Sequence, residues 1–238
     1  MVDMPHFASI AALVGEPSRG SMVSALMDGR ALTATELALE AGVTPSTASS
    51  HLAQLAQAGV VSMAKQGRHR YFRISNPEVA SVFEAMMGLA AHSERRPPAT
   101  PDVTGMRRAR VCYDHLAGER GVQLLERLRA RGFVTASDDA PDLTPAGEKW
   151  CRNLGIDLDA LTSRRRPLCR PCLDWSERRT HLAGALGASL LERIFALRLA
   201  RREPGSRLVV FSPRGEAFLE RLVIRDPRSA HLIHVPTM

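Results

Sequence analysis

Cys112 and Cys172 are the residues of this 238-residue chain whose types and spacing most directly suggest chemistry. Each stands two residues before an aspartate, Asp114 or Asp174, and each leads to a histidine, His115 or His181. Thiolate, imidazole and carboxylate ligands suit zinc or a softer ion, whereas a dithiol alone suits redox sensing. Cys169 forms a Cys-x-x-Cys with Cys172, the spacing of a redox dithiol. Thioredoxin-like chemistry needs a βαβ setting with the first cysteine at a helix N-terminus, and here the surroundings read as arginine-rich coil followed by helix. The plainer role is packing, since a cysteine at the start of a buried helix is commonly a small apolar filler. Cys151, beside Trp150 on a helix, reads as core. No cofactor is required by the sequence, although it would accept zinc or another thiophilic metal.

The equivalence of Cys112 and Cys172 comes from a duplication. His115-Leu-Ala-Gly-Glu-Arg-Gly-Val-Gln-Leu-Leu-Glu-Arg-Leu128 and His181-Leu-Ala-Gly-Ala-Leu-Gly-Ala-Ser-Leu-Leu-Glu-Arg-Ile194 agree at 9 of 14 positions without a gap. Downstream, Leu143-Thr-Pro-Ala-Gly-Glu-Lys-Trp150 pairs with Phe211-Ser-Pro-Arg-Gly-Glu-Ala-Phe218. Self-similarity at this period indicates two copies of one supersecondary unit, spanning about 112–160 and 172–224. Each copy reads helix, strand, turn, strand, helix, the back half of a winged helix. Two copies packed about a pseudo-twofold axis would bring Cys112 and Cys172 together, with Cys169, His115, His181, Asp114 and Asp174 nearby.

A second constellation lies in the first half. Ser46, Thr47, Ser49, Ser50 and Gln54 form a short-polar surface on a segment anchored by Val43, Leu52 and Leu55. Short hydroxyls let a helix enter the major groove closely, and no carboxylate is present to repel phosphate. Just beyond, Lys65-Gln-Gly-Arg-His-Arg70 gathers cationic side chains on one turn, with Arg68 aimed at a minor groove or its phosphates, flanked by His69 and Arg70. Charge at a hairpin tip also protects against edge pairing. Its place beside a recognition helix favours the DNA role.

The elements that hold this surface follow from local signals. Phe7, Ile10, Ala11 and Val14 share one helix face, and Pro17 opens a second helix. Thr33 and Glu36 have capping-box spacing, and Gly42 ends that third helix. Thr44 and Pro45 start a fourth, ended by Gly59. Alternating segments Val60–Ala64 and Arg70–Ile74 flank Gly67 as a hairpin. A last helix, 77–92, places Val79, Val82, Phe83 and Met86 on a stripe wide enough for both core and a dimer partner. Three prolines and two arginines make 93–106 a linker. The chain thus reads as mainly α with short β-hairpins: a winged helix-turn-helix domain at 1–92, a linker at 93–106 and a duplicated winged-helix-like domain at 107–238.

Ile10 to Arg19, Leu32 to Ala38, Thr44 to Val60 and Gly67 to Phe72 together resemble the ArsR-type winged-helix regulators, the run Ser-Thr-Ala-Ser-Ser-His-Leu most specifically. The resemblance implies a homodimer built from the first and last helices, a palindromic double-stranded operator and repression released by a small-molecule or metal effector. It also implies that Ser46, Thr47, Ser49, Ser50 and His51 face DNA, with His51 near phosphate. Metal-sensing members carry a Cys-x-Cys on the third helix, where this chain has Thr33-Ala-Thr35, and Glu84 and His92 form no chelating pair on the last helix.

The formal net charge of +7 agrees with a polyanionic partner, and with only Lys65 and Lys149 as lysines the excess is arginine. Neither a signal peptide nor a membrane span is indicated, so a cytoplasmic protein is expected. Glycine-rich phosphate loops, His-Glu-x-x-His and Gly-x-Ser-x-Gly are missing from the sequence, which argues against an enzyme. The expected function is a DNA-binding regulator. A redox protein using the Cys-x-x-Cys and an effector-free DNA-architecture protein are the alternatives.

Overall fold

The computed structural model describes residues 7–67, 69–93, 101–137, 140–163 and 166–222. The chain divides into two compact units, residues 1–83 and 84–238.

Unit one begins with α1 (Phe7–Val14) and α2 (Pro17–Leu26). Pro17 costs α2 nothing at its first position, and the Glu16 carboxylate accepts from the N–H groups of Ser18 and Arg19. Strand β1 (Leu32–Thr33) runs into α3 (Ala34–Ala41), where Thr33 and Glu36 form the reciprocal capping box. Gly42, at φ 64°, takes the left-handed conformation that ends α3. Thr44 then caps α4 (Pro45–Gln57), accepting from the Thr47 N–H. The wing is β2 (Val61–Gln66) and β3 (His69–Ile74), followed by α5 (Pro77–Ser93). Met22, Leu26, Leu37, Leu52, Leu55 and Ile74 are buried beneath these elements. This is the expected winged helix-turn-helix. One strand is new: β1 pairs antiparallel with β3, Leu32 opposite Phe72, giving a sheet of order β1-β3-β2.

The boundary between the units falls inside α5, whereas the sequence placed it after residue 92. From Glu84 onward the helix belongs to unit two, because Glu84 is buried and ion-paired with Arg207. Part of the stretch read as linker is also helical, as α6 (Pro101–Arg108); residues 94–100 lie outside the described residues.

Unit two contains the duplication. Its first copy is β4 (Arg110–Cys112), β5 (His115–Ala117), α7 (Glu119–Ala130), a bridge between Val134 and Leu143, and α8 (Pro145–Asn153), with the short α9 (Leu158–Thr162) behind it. Its second is β6 (Arg170–Leu173), β7 (Thr180–Ala183), α10 (Gly184–Ala196), β8 (Ala200–Arg202), β9 (Val209–Phe211) and α11 (Pro213–Arg221). From the long helix onward both copies follow the expected order. The correction lies upstream, where Cys112, His115, Cys172 and His181 sit on β-hairpins and not at helix starts. Gly118 and Gly184 explain it: at φ 80° and 86° they turn the chain from strand into helix.

The copies grip each other reciprocally. Helix α7 packs on β7, and α10 packs on β5. A Cβ at Gly121 would lie 3.6 Å from His181 Cβ, and one at Gly187 would lie 3.3 Å from His115 Cβ. Leu125, Leu128, Leu186 and Ile194 fill the shared core. The packing is pseudo-twofold.

Candidate functional site

The outer face of α4 is short-polar and carries no acidic side chain. Leu52, Leu55 and Ala48 bury its inner side, which leaves Ser46, Thr47, Ser49, Ser50 and Gln54 exposed. Their hydroxyls are not equivalent. Ser49 Oγ donates back to the Pro45 carbonyl at 2.8 Å, and Thr47 Oγ1 pairs with Thr44 Oγ1 at 2.9 Å. Among the described residues, Ser46 and Ser50 have hydroxyls with no protein partner, so these two can take a base edge or phosphate at no internal cost.

His51 is placed differently from the expectation. It is half-buried, with Nδ1 3.1 Å from Arg19 Nη1 and Nε2 3.7 Å from Glu16. Arg19 also donates to Gln54 Oε1 at 3.1 Å. His51 and Gln54 are therefore held by α2, and Arg19 is a member of this surface that the sequence did not reveal. Its partners lie 32 and 35 residues away, beyond any local pattern.

The wing continues the surface. Lys65 stands opposite Arg70 and Gln66 opposite His69, all four exposed; Arg68 lies outside the described residues. Like charges directly across a ladder repel, and a polyanion between them removes that cost. Helix α5 divides its stripe: Phe83 is buried and Val79 half-buried, while Val82, Met86 and Leu89 are exposed.

A helix-turn-helix domain family matches residues 14–64, the segment from the end of α1 through α4 into β2. The whole chain is similar to the uncharacterised HTH-type transcriptional regulator YdfF of Bacillus subtilis strain 168, at 38% identity over 218 residues, 91% of this chain and 96% of that protein. The chain belongs to the HTH-type transcriptional regulators. Among solved structures, similarity extends to the homodimeric winged helix-turn-helix domain of a possible ArsR-family regulator from Mycobacterium bovis. That match has 21% identity and a TM-score of 0.31, covering 41% of this chain and all of that one. A cadmium sensor from Mycobacterium tuberculosis matches at 24% identity and a TM-score of 0.31, over 40% of this chain and 98% of that one.

The residues singled out in the duplicated half also converge. Cys112, His115, Cys172 and His181 offer ligand atoms that all lie within 4.8 Å of one another. Cys112 pairs with His115 across the first hairpin, Cys172 with His181 across the second. The sulfurs are 3.9 Å apart and the two Nε2 atoms 3.1 Å apart. A hydrogen bond with Cys172, together with burial, pushes the Cys112 thiol up to about 12. Behind the histidines stand the two aspartates: Asp114 Oδ1 is 3.1 Å from His115 Nδ1, and Asp174 Oδ2 is 3.7 Å from His181 Nδ1. Burial alone would lift the Asp174 carboxyl, but Arg110 and His181 hold it down to about 2. Cys169 is not brought into this set. It lies in the bend just before β6 and packs against the core, near Cys151.

Proposed function

We propose that this regulator is a sequence-specific repressor that binds double-stranded operator DNA as a homodimer in the cytoplasm and is released by an effector. One observation carries the reading: α4 presents an acid-free face with two unengaged serine hydroxyls beside a basic wing. Against an enzymatic thiol role stands the place of Cys169, which packs by Cys151 and is not a member of the cluster that holds Cys172.

The test is binding to fragments of its own promoter region. Affinity should fall steeply between low and physiological salt, on a palindrome with half-sites about one helical turn apart. Ser50→Ala should weaken binding roughly tenfold at the cognate sequence and little elsewhere. Arg70→Ala should weaken it at all sequences and lower the salt slope by about 1. Salt-independent binding, or equal losses on cognate and random DNA for Ser50→Ala, would refute the reading.

Assembly supplies a second check. Exposed apolar side chains on α1 (Phe7, Ile10) and α5 (Val82, Met86, Leu89) support a homodimer. Met86→Glu should shift the sedimenting species to a monomer and reduce operator affinity by the lost bivalency. Phe83 is the wrong probe, since its burial makes a charge there a folding defect. A wild-type monomer at micromolar concentration would remove the dimer from the proposal. A panel of metals, oxidants and metabolites tested for operator release separates a regulated repressor from an effector-free architectural protein.

A further inference from the structure

We propose that Cys112, His115, Cys172 and His181 bind one zinc ion in tetrahedral geometry, closing the two repeats of unit two on each other. Each repeat supplies one thiolate and one imidazole from facing strands of its own hairpin, so neither copy holds the ion alone.

Distances support a tetrahedral ion. Bonds of about 2.3 Å to sulfur and 2.0–2.1 Å to nitrogen put two sulfurs about 3.8 Å apart and two nitrogens about 3.3 Å apart. The observed separations are 3.9 Å and 3.1 Å. A disulfide would need the sulfurs at about 2.05 Å.

The histidines are oriented for this role. Asp114 and Asp174 stand on the Nδ1 sides, so each imidazole that keeps its Nδ1 proton directs an Nε2 lone pair at the other. Two lone pairs meeting at 3.1 Å repel unless a cation lies between them. Carboxylates behind ligating histidines fix the tautomer and raise ligand basicity. His181 Nδ1 is buried 3.7 Å from Asp174 Oδ2 and has no hydrogen-bond partner, so the Asp174 carboxylate is the acceptor placed on its side of the ring.

Charge closes as well. Zinc entry releases to solvent the two thiol protons and the proton that keeps His115 charged, and one divalent ion with two thiolates and two neutral imidazoles is neutral. Asp114 is already balanced by Arg166 through two hydrogen bonds, and Asp174 by Arg110 at 3.0 Å. A buried assembly without net charge avoids the large cost of an isolated ion.

The full chain, purified without chelator and in reductant, tests this independently of DNA binding. It should carry about one equivalent of zinc per chain. Cobalt replacement should give visible d–d absorption of tetrahedral form with thiolate-to-cobalt charge transfer, and X-ray absorption should report two sulfur and two nitrogen neighbours. Cys112→Ser and His181→Asn should each lose most of the metal, whereas Cys169→Ser should retain it. If the cluster variants do not fold, the wild-type stoichiometry and coordination count still decide. Less than roughly a tenth of an equivalent after incubation with zinc would overturn the proposal. So would three-sulfur coordination, or metal loss in Cys169→Ser as complete as in Cys112→Ser. In the rival arrangement a shared proton bridges the imidazoles and both thiols stay protonated, which predicts that all four thiols titrate in denaturant with no metal released.

Discussion

Arg110→Ala is expected to cost unit two about 3–5 kcal/mol of unfolding free energy, the penalty of leaving a buried partner charge uncompensated. Arg110 is fully buried, 3.0 Å from Asp174 and 3.8 Å from Glu84, with its guanidinium 4.6 Å from the centre of the Trp175 ring. Removing it strands the Asp174 carboxylate, which is likewise buried and could recover solvation only by opening the hairpin. The Gly118 N–H and Ser176 still donate to Asp174 in the variant and His181 Nδ1 stays 3.7 Å away, but none of them replaces the buried guanidinium at 3.0 Å. Urea unfolding measures the cost. Arg152→Ala is the comparison: its Asp159 partner is exposed, and an exposed pair should leave the midpoint nearly unmoved. Equal shifts for the two variants would mean that the buried pair contributes no more than a surface one.

Gly215→Ala should be as damaging, by about 4 kcal/mol or more. A Cβ at this position would lie 1.9 Å from the Leu199 carbonyl oxygen, a backbone atom that cannot rotate away. That carbonyl is itself pinned, accepting from Ser212 N at 2.9 Å and from Ser212 Oγ at 3.0 Å. Gly147, the equivalent residue of the first copy, has Phe133 O at 2.0 Å and should behave alike. Gly205→Ala separates crowding from backbone preference: nothing lies within 4 Å of its Cβ, while its φ is 71°. There only the left-handed conformation is penalised, at about 1–2 kcal/mol. Thermal unfolding of the three variants should place Gly205→Ala well above the others, and a common midpoint would refute the steric argument.

These details show where the sequence was legible. The caps at Thr33 and Thr44, the stop at Gly42 and the wing turn at Gly67 are local signals, and the elements formed where those signals placed them. The approach of Cys112 to Cys172 followed from register between the repeats, since equivalent positions in a pseudo-twofold pair meet near the axis. Non-local pairing was less visible. Strand β1 is two residues long and has no period to detect, and it exists because Phe72 offers it an edge. The hairpin between Cys112 and His115 turns on Tyr113 at φ 59°, with no glycine in the turn to announce it. Helix α6 begins at Pro101, which reads equally well as linker or as a first helical residue, and only packing decides: a Cβ at its Gly105 would lie 2.8 Å from Leu208 Cδ1.

The joining of both copies in one chain changes how their cluster responds to dilution. Two separate subunits sharing a set of ligands fall apart as their concentration drops, and the set falls apart with them. Covalent connection substitutes an effective concentration fixed by the intervening residues, so assembly no longer depends on how many molecules a cell contains. Fusion also releases the halves from identity. Six residues, Trp175 to Thr180, are inserted in the second hairpin alone. They put an indole against Arg110 on one side of the axis, an asymmetry that two identical subunits could not adopt without repeating it on the other.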